Sequence, residues 1–570
     1  MIKLLLTSFL CVVVLIISLN IKRIAKIPSF CFLNKSFHLG IILTLILLVP
    51  TYFLNYNLSD EAYYHSLLIF GKKIISFSSI SIYLHKLGQL FSHEIIGYRL
   101  TSLILIYLSA LILYLELISY AKISYVDLKK KLIIIFLLLT SFYPIYGLIT
   151  VSYNIIVVTG SFLIIASLIA LFNGKNIKFI LFYTIGLVLV FLARPPAVIL
   201  LLGIIFITTL YLKKKFLIPQ IVTYVSFLLI TLLLVYFNHD YYLDVFSYYV
   251  YLSESSHSSL ISNYLFATFL DLIYATPLFL FLSIITRKHG SIVTKPENHF
   301  YLLIYFLFTF LVFSSLVLLN KGTISFKYVV YSLISLNINF LFTEKGLRSE
   351  HKILLVLCIL IPLSANFSTN GNLVLHSGSM MLIYCIPLIL VLSRTDLRLK
   401  SIIAFGSVIS LFLITQTFNI FYLNPYMSDV DFSKKHKWDK PPLSFLIVDK
   451  KISKRGSEAK SILNQMDFKF DNDRIFAYPN IPGYSSILQI EPYGNSWNFA
   501  GYNQIHLVNC YHINKETLTD GEVFLILEEE LPDQLESCLF NKLLITEKTE
   551  EREVYLEDKI VKFIGPLTQI

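Results

Sequence analysis

The chain has 570 residues, of which 56% are hydrophobic and only 15% charged, with a mean hydropathy of +0.71. That balance excludes an ordinary soluble domain, in which about a quarter of residues are charged. The net charge of +11 hides a split, because residues 424–570 hold 17 basic and 23 acidic side chains; with no compact basic domain there is no nucleic-acid footprint, and the surplus suits a membrane face meeting anionic lipid.

Runs of about twenty apolar residues, each long enough to cross hydrocarbon, recur along most of the chain. Spans are expected at 2–19, 37–54, 98–120, 132–149, 152–172, 178–193, 196–212, 216–237, 264–286, 300–319, 327–343, 353–367, 378–393 and 401–423. The first has the length of a signal sequence, but Lys22, Arg23 and Lys26 follow it in place of a small-residue cleavage site, which favours a retained helix. Pro195 and Pro196 break the stretch 178–212 into a tight hairpin, since proline cannot continue a helix. The expected fold is a polytopic α-helical membrane protein of about 13–14 spans (residues 1–423) with a C-terminal extracytoplasmic α/β or α+β domain (residues 424–570).

Charge orients the spans. One alternate set of connecting segments carries 22 Lys and Arg and the other carries 6. This positive-inside asymmetry places the loop 55–97 and the C-terminal domain outside the cytoplasm, and an even span count would place the N-terminus there too.

The loop 55–97 opens with Asp60 and Glu61, at the mouth of an apolar span. Carboxylates beside lipid are costly, so the pair either sits in water at a loop or lines a cavity where a carboxylate takes a proton. His65 follows at helical spacing, where it shares a face with the pair if the segment is helical; an ordinary surface histidine is the plainer reading. The cations expected on the same side are Lys72, Lys73, Lys86, Arg99, Arg194, Lys321 and Lys327. Arg194 ends a very apolar span and suits a phosphate, because a guanidinium offers paired donors; a span-ending arginine also serves as an interfacial anchor. Lys321 and Lys327 flank a short loop and admit the same two readings. Asp240, Asp244 and Glu254 lie in a second, tyrosine-rich loop on that side.

In the tail, Ser444–Val448, Arg474–Ala477, Val523–Leu527 and Lys542–Ile545 read as strands and Glu458–Met466 as an amphipathic helix. Pro479–Gly483 and Glu491–Gly494, followed by Trp497, read as turn-rich loops. Cys510 and Cys538 either pair in an oxidising compartment or remain free thiols. No metal-ligand spacing occurs among the cysteines, and the tail has no nucleophile motif; it is expected to shape acceptor choice without doing chemistry. Enzymes outside the cytoplasm lack ATP and nucleotide sugars, so a donor must arrive already linked to lipid. Such chemistry needs a base for the acceptor hydroxyl and cations for the phosphate leaving group.

Leu58-Ser-Asp60-Glu61-Ala-Tyr-Tyr64, Leu90-Phe-Ser-His-Glu-Ile-Ile-Gly97-Tyr-Arg99, Thr150-Val-Ser-Tyr-Asn154 and Arg194-Pro-Pro196 resemble segments of the C-type superfamily of membrane glycosyltransferases. That group includes the protein O-mannosyltransferases and the lipid A aminoarabinose transferases. The resemblance covers roughly 37–215 and implies transfer of a hexose or pentose from a polyprenyl-phosphate carrier to an envelope glycan (such as lipopolysaccharide), a lipid or a protein. It further implies Asp60 as base, Glu61 beside it in the site, Arg99 bracing the loop or the phosphate, and Tyr64 and His65 in support. One span more than usual precedes the acidic loop. A required cofactor is not implied; a divalent cation is left open. The sequon Asn57-Leu-Ser59 beside the proposed base, and an Ile-, Lys-, Asn- and Tyr-rich composition, favour a bacterial inner membrane. A lipid-linked oligosaccharide flippase, or an O-antigen polymerase or ligase, is the competing expectation.

Overall fold

The computed structural model describes residues 60–71, 78–80, 82–85, 93–121, 150–211, 217–246, 325–343, 349–366, 377–394, 435–437, 443, 446–479, 481–494, 505–516, 518, 521–556 and 559–569. The spans expected at 2–19, 37–54, 132–149, 264–286, 300–319 and 401–423 lie outside these residues, as do Lys72, Lys73, Lys86, Glu254, Lys321 and Trp497.

A short helix, α1 (Asp60–Phe70), precedes α2 (Ile95–Ala121), α3 (Tyr153–Phe172), α4 (Asn176–Ala193), α5 (Pro195–Tyr211) and α6 (Leu217–Phe237). Then come α7 (Ser325–Thr343), α8 (Ser349–Ala365) and α9 (Met381–Arg394). Among the described residues, α2, α3, α4 and α6 are long and apolar enough to cross a membrane. The helix α3 is the hub, buried from Ile155 to Leu171. Its start is fixed by Ser152, whose hydroxyl accepts the Ile155 N–H, and its end by Gly174 in the left-handed region at φ 75°. Gly160 of α3 and Gly186 of α4 face each other so closely that a Cβ on either would sit 2.8 Å from the other's carbonyl oxygen. Small residues permit such backbone approach between membrane helices. At the periphery, α6 turns Leu228, Leu229, Leu232 and Leu233 outward, each more than half exposed; such a face suits hydrocarbon better than water.

The expected break at the double proline is present. Arg194 adopts φ −150°, ψ 83°, the extended region that a following proline enforces, and Pro195 opens α5 at the first helical position, where no N–H is needed.

The C-terminal domain holds a two-stranded ribbon, β1 (Lys435–Lys437) with β2 (Ile447–Asp449), and then α10 (Lys450–Gln465). A four-stranded mixed sheet follows, built from β3 (Arg474–Tyr478), β4 (Val523–Leu527), β5 (Leu543–Leu556) and β6 (Lys559–Gln569) in the order β3-β4-β6-β5. The β3–β4 pair is parallel and the other pairs antiparallel. Their crossover carries α11 (Ile481–Leu488) and α12 (Ile505–Lys515), and α13 (Asp533–Phe540) precedes β5. Ile475, Phe476, Val523, Leu525 and Phe563 form its core. Two expectations change here. The Pro479–Gly483 segment does not remain a loop, because α11 starts at Ile481 with Pro482 in its first turn; and the last strand is a long hairpin, β5–β6, rather than four residues. Cys510 and Cys538 are joined, linking α12 to α13.

The domain rests on the start of the helical part. Leu443, Leu446, Val448, Ile452 and Ile487 pack with Ala62 of α1 and Ile95 of α2 in one apolar cluster. A second contact joins Lys515 Nζ to Asp244 Oδ1 at 2.7 Å.

Candidate active site

Asp60 is the first residue of α1, and the helix it opens is buried all round, from Glu61 to Leu68. A helix as polar as this one can be enclosed only if its polar groups are partnered. Glu61, 3% exposed, accepts two parallel bonds from Arg99, Nε to Oε1 and Nη2 to Oε2, both 2.9 Å. Arg99 is itself 2% exposed. Thr150 Oγ1 donates a short third bond to Oε1. Forked pairing of this kind fixes orientation as well as charge.

One turn further along α1, His65 was expected at the surface and is instead fully buried. The enclosure arises because α11 of the tail covers this face, a long-range contact that local spacing does not encode. His65 Nε2 lies 2.8 Å from the carbonyl oxygen of His93, and Nδ1 lies 2.7 Å from Ser486 Oγ on α11. Burial pulls its pKa down to about 4, so the ring is neutral near neutral pH. His93 turns its backbone to φ 55°. Its ring stacks on His85 at 5.4 Å and bonds Tyr98 Oη at 2.9 Å; burial, then His85, lowers its pKa. Leu68, near the end of α1, receives at its carbonyl the His85 Nδ1 proton at 2.9 Å and the Tyr98 hydroxyl at 3.3 Å.

Arg194 occupies the α4–α5 break, 3% exposed. Its Nη1 donates to Asn366 Oδ1 at 2.8 Å and to the Ala365 carbonyl at 3.3 Å, and its Nη2 donates to Asn154 Oδ1 at 2.5 Å. Asn366 is aimed by its own bond to the Pro362 carbonyl, 2.7 Å. The guanidinium lies 4.5 Å from the centre of the Tyr153 ring, a cation–π contact. Tyr153 in turn meets Tyr64 of α1 edge to face, ring centres 5.5 Å apart. These contacts orient the guanidinium within the break.

The five-residue segment Thr150–Asn154 therefore serves both arginines: Thr150 reaches Glu61, Ser152 caps α3, and Tyr153 and Asn154 hold Arg194. Glu61, Tyr64, His65, Arg99 and Arg194 thus belong to one neighbourhood centred on α1, the helix that Asp60 opens. Lys327 falls in the first turn of α7. Sequence reasoning missed Asn366, Ser486 and His93. The first two are small polar residues with no spacing signal, and His93 meets His65 through its backbone carbonyl. Among the described residues no cluster of His, Cys, Asp and Glu is arranged to hold a metal ion.

The other end of the bundle carries a separate charged group. Glu116 of α2, buried, accepts from Lys175 Nζ at 2.8 Å and Lys178 Nζ at 2.7 Å. It lies seventeen residues past Arg99 on α2, about 25 Å at 1.5 Å per residue.

No family model, curated protein or solved structure matches this chain.

Proposed function

We propose that the protein is a multi-pass membrane glycosyltransferase that moves a sugar from a polyprenyl-phosphate carrier to an envelope glycan, lipid or protein acceptor on the outer face of a bacterial inner membrane. The observation that carries this reading is the Thr150–Asn154 segment, which ties the acidic helix to two buried arginines.

In this reading Asp60 takes the proton of the acceptor hydroxyl as that oxygen attacks the anomeric carbon and the bond to the carrier phosphate breaks. Glu61 is committed to Arg99 and Thr150 and serves as the brace that fixes α1. Arg194 faces the departing phosphate: Asn154, Asn366 and the Tyr153 ring aim its guanidinium, and its forked donors suit phosphate oxygens. Support for placing this chemistry on the outer face comes from the charge asymmetry of the loops. Further support comes from the separation of the Glu116–Lys175–Lys178 group from α1, close to the roughly 30 Å of a hydrocarbon core.

Purified protein in lipid vesicles, given a synthetic polyprenyl-phosphate sugar and a hydroxyl acceptor, should release polyprenyl phosphate in step with glycoside formation. Movement of the intact donor across the vesicle membrane without cleavage would replace this reading with a flippase.

A further inference from the structure

We propose that Ser486 of the C-terminal domain is a positioning residue of the donor site, holding α1 in register through His65; this rests on the function proposed above. The hydrogen bonds fix the proton positions. His65 Nε2 faces the His93 carbonyl at 2.8 Å, and a carbonyl only accepts, so Nε2 carries the proton. Nδ1 is then a lone pair, and Ser486, 2.7 Å away, donates to it. The two residues are 421 positions apart in sequence and both wholly buried.

The latch is stiff on both sides. On the tail, α11 is clamped by its neighbouring residues. Tyr484 donates to Glu528 Oε1 at 2.8 Å, a carboxylate also paired with Arg455 at 3.3 Å, and Ser485 donates to the Ile490 carbonyl at 2.6 Å. Ile487 joins Ala62 and Ile95 in the apolar cluster below. On the helical side, His65 shares a face with Glu61, four residues earlier. The helix α1 is therefore gripped at three levels: Glu61 by Arg99 and Thr150, His65 by His93 and Ser486, and the Leu68 carbonyl by His85 and Tyr98. Of these grips Ser486 is the one supplied by the C-terminal domain, so docking of that domain sets the pitch of the helix on which Asp60 stands. The tail acts on the donor step without contributing a reacting group.

The test uses the full-length chain in vesicles with the synthetic polyprenyl-phosphate sugar. Ser486→Ala removes the hydroxyl that donates to His65 Nδ1. We expect kcat to fall about 10- to 100-fold, the scale at which small misplacements act, with acceptor KM unchanged. Ser486→Thr, which keeps the hydroxyl, should recover most of the rate. Amide hydrogen exchange over residues 60–70 supplies a readout independent of turnover: protection should drop in Ser486→Ala and return in Ser486→Thr. Unchanged protection in Ser486→Ala, or a rise in acceptor KM at constant kcat, would overturn the proposal. If Ser486→Ala does not fold, His65→Gln, whose amide offers one donor and one acceptor, takes its place: near-normal protection and rate support the latch, and loss equal to that of His65→Ala overturns it. Absence of donor turnover in the wild-type chain would count against the glycosyltransferase reading alone, because the exchange measurement still decides whether Ser486 positions α1.

Discussion

The Glu61–Arg99 pair gives the sharpest energetic expectation. Arg99→Leu would leave a carboxylate that is 3% exposed without its forked donor, with the Thr150 hydroxyl still bonded to it. Two unit charges about 4 Å apart interact by about 4 kcal/mol at an effective dielectric constant of 20. Removing one member of a buried pair generally costs about 3–5 kcal/mol. We therefore expect Arg99→Leu and Glu61→Gln each to destabilise the protein by about 3–5 kcal/mol. Arg99→Lys should lose less, since it keeps the charge and gives up the second of two 2.9 Å bonds. The double variant Glu61→Gln/Arg99→Leu buries no lone charge, so it should be more stable than the sum of its parts by about 2 kcal/mol or more. Reversible unfolding in mixed detergent micelles, followed by intrinsic fluorescence, measures all four corners of this cycle. Effects that add to within about 0.5 kcal/mol, or single losses below about 1 kcal/mol, would show that the pair does not brace α1.

Other expectations follow from single contacts. The His65 pKa falls to about 4 on folding from an unfolded value near 6.5, so between these values the unfolded chain takes up a proton that the folded chain refuses. Stability should therefore decline as pH drops from about 6.5 to about 4, by up to roughly 3 kcal/mol from this group, and His65→Gln should flatten the decline in melting temperature. That titration is set by burial first, with Glu61 and the His93 backbone favouring the charged ring and His93 and Arg99 opposing it. Gly160→Ala would drive a Cβ to within 2.8 Å of the Gly186 carbonyl and should cost about 1–3 kcal/mol in thermal stability. Breaking the Cys510–Cys538 bridge, which spans 28 residues, by Cys510→Ser/Cys538→Ser should destabilise the C-terminal domain by about 2–4 kcal/mol, read as a lower melting temperature, with wild type showing a gel mobility change on reduction. Arg194→Lys cannot reach Asn154 and Asn366 with one ammonium as the guanidinium does, and should weaken binding of a polyprenyl-phosphate sugar by about ten-fold or more.

Helix positions were legible because apolar runs of span length and the Pro195–Pro196 break are local signals. The expected spans at 98–120, 152–172, 178–193 and 216–237 correspond to α2, α3, α4 and α6 to within a few residues. Strands β3 and β4 were equally plain, being short and mostly aliphatic or aromatic. The β5–β6 hairpin was not, since its exposed face is rich in Glu and Lys and hides the alternation after Ile545. Residue types in the site were readable as chemistry, two carboxylates and two arginines, but their pairing was not. That Glu61 takes Arg99 while Arg194 takes two asparagines and a tyrosine ring depends on contacts 38 to 172 positions apart. The burial of His65 depends on a domain more than 400 residues away, which no local period records.

The most direct test of the central claim compares wild type with Asp60→Asn in vesicles supplied with polyprenyl-phosphate sugar and acceptor. The asparagine keeps size and hydrogen bonding but cannot accept the hydroxyl proton, so we expect the transfer rate to fall about 10²- to 10⁴-fold with yield and melting temperature unchanged. Transfer at the wild-type rate in a correctly folded Asp60→Asn protein would contradict the account.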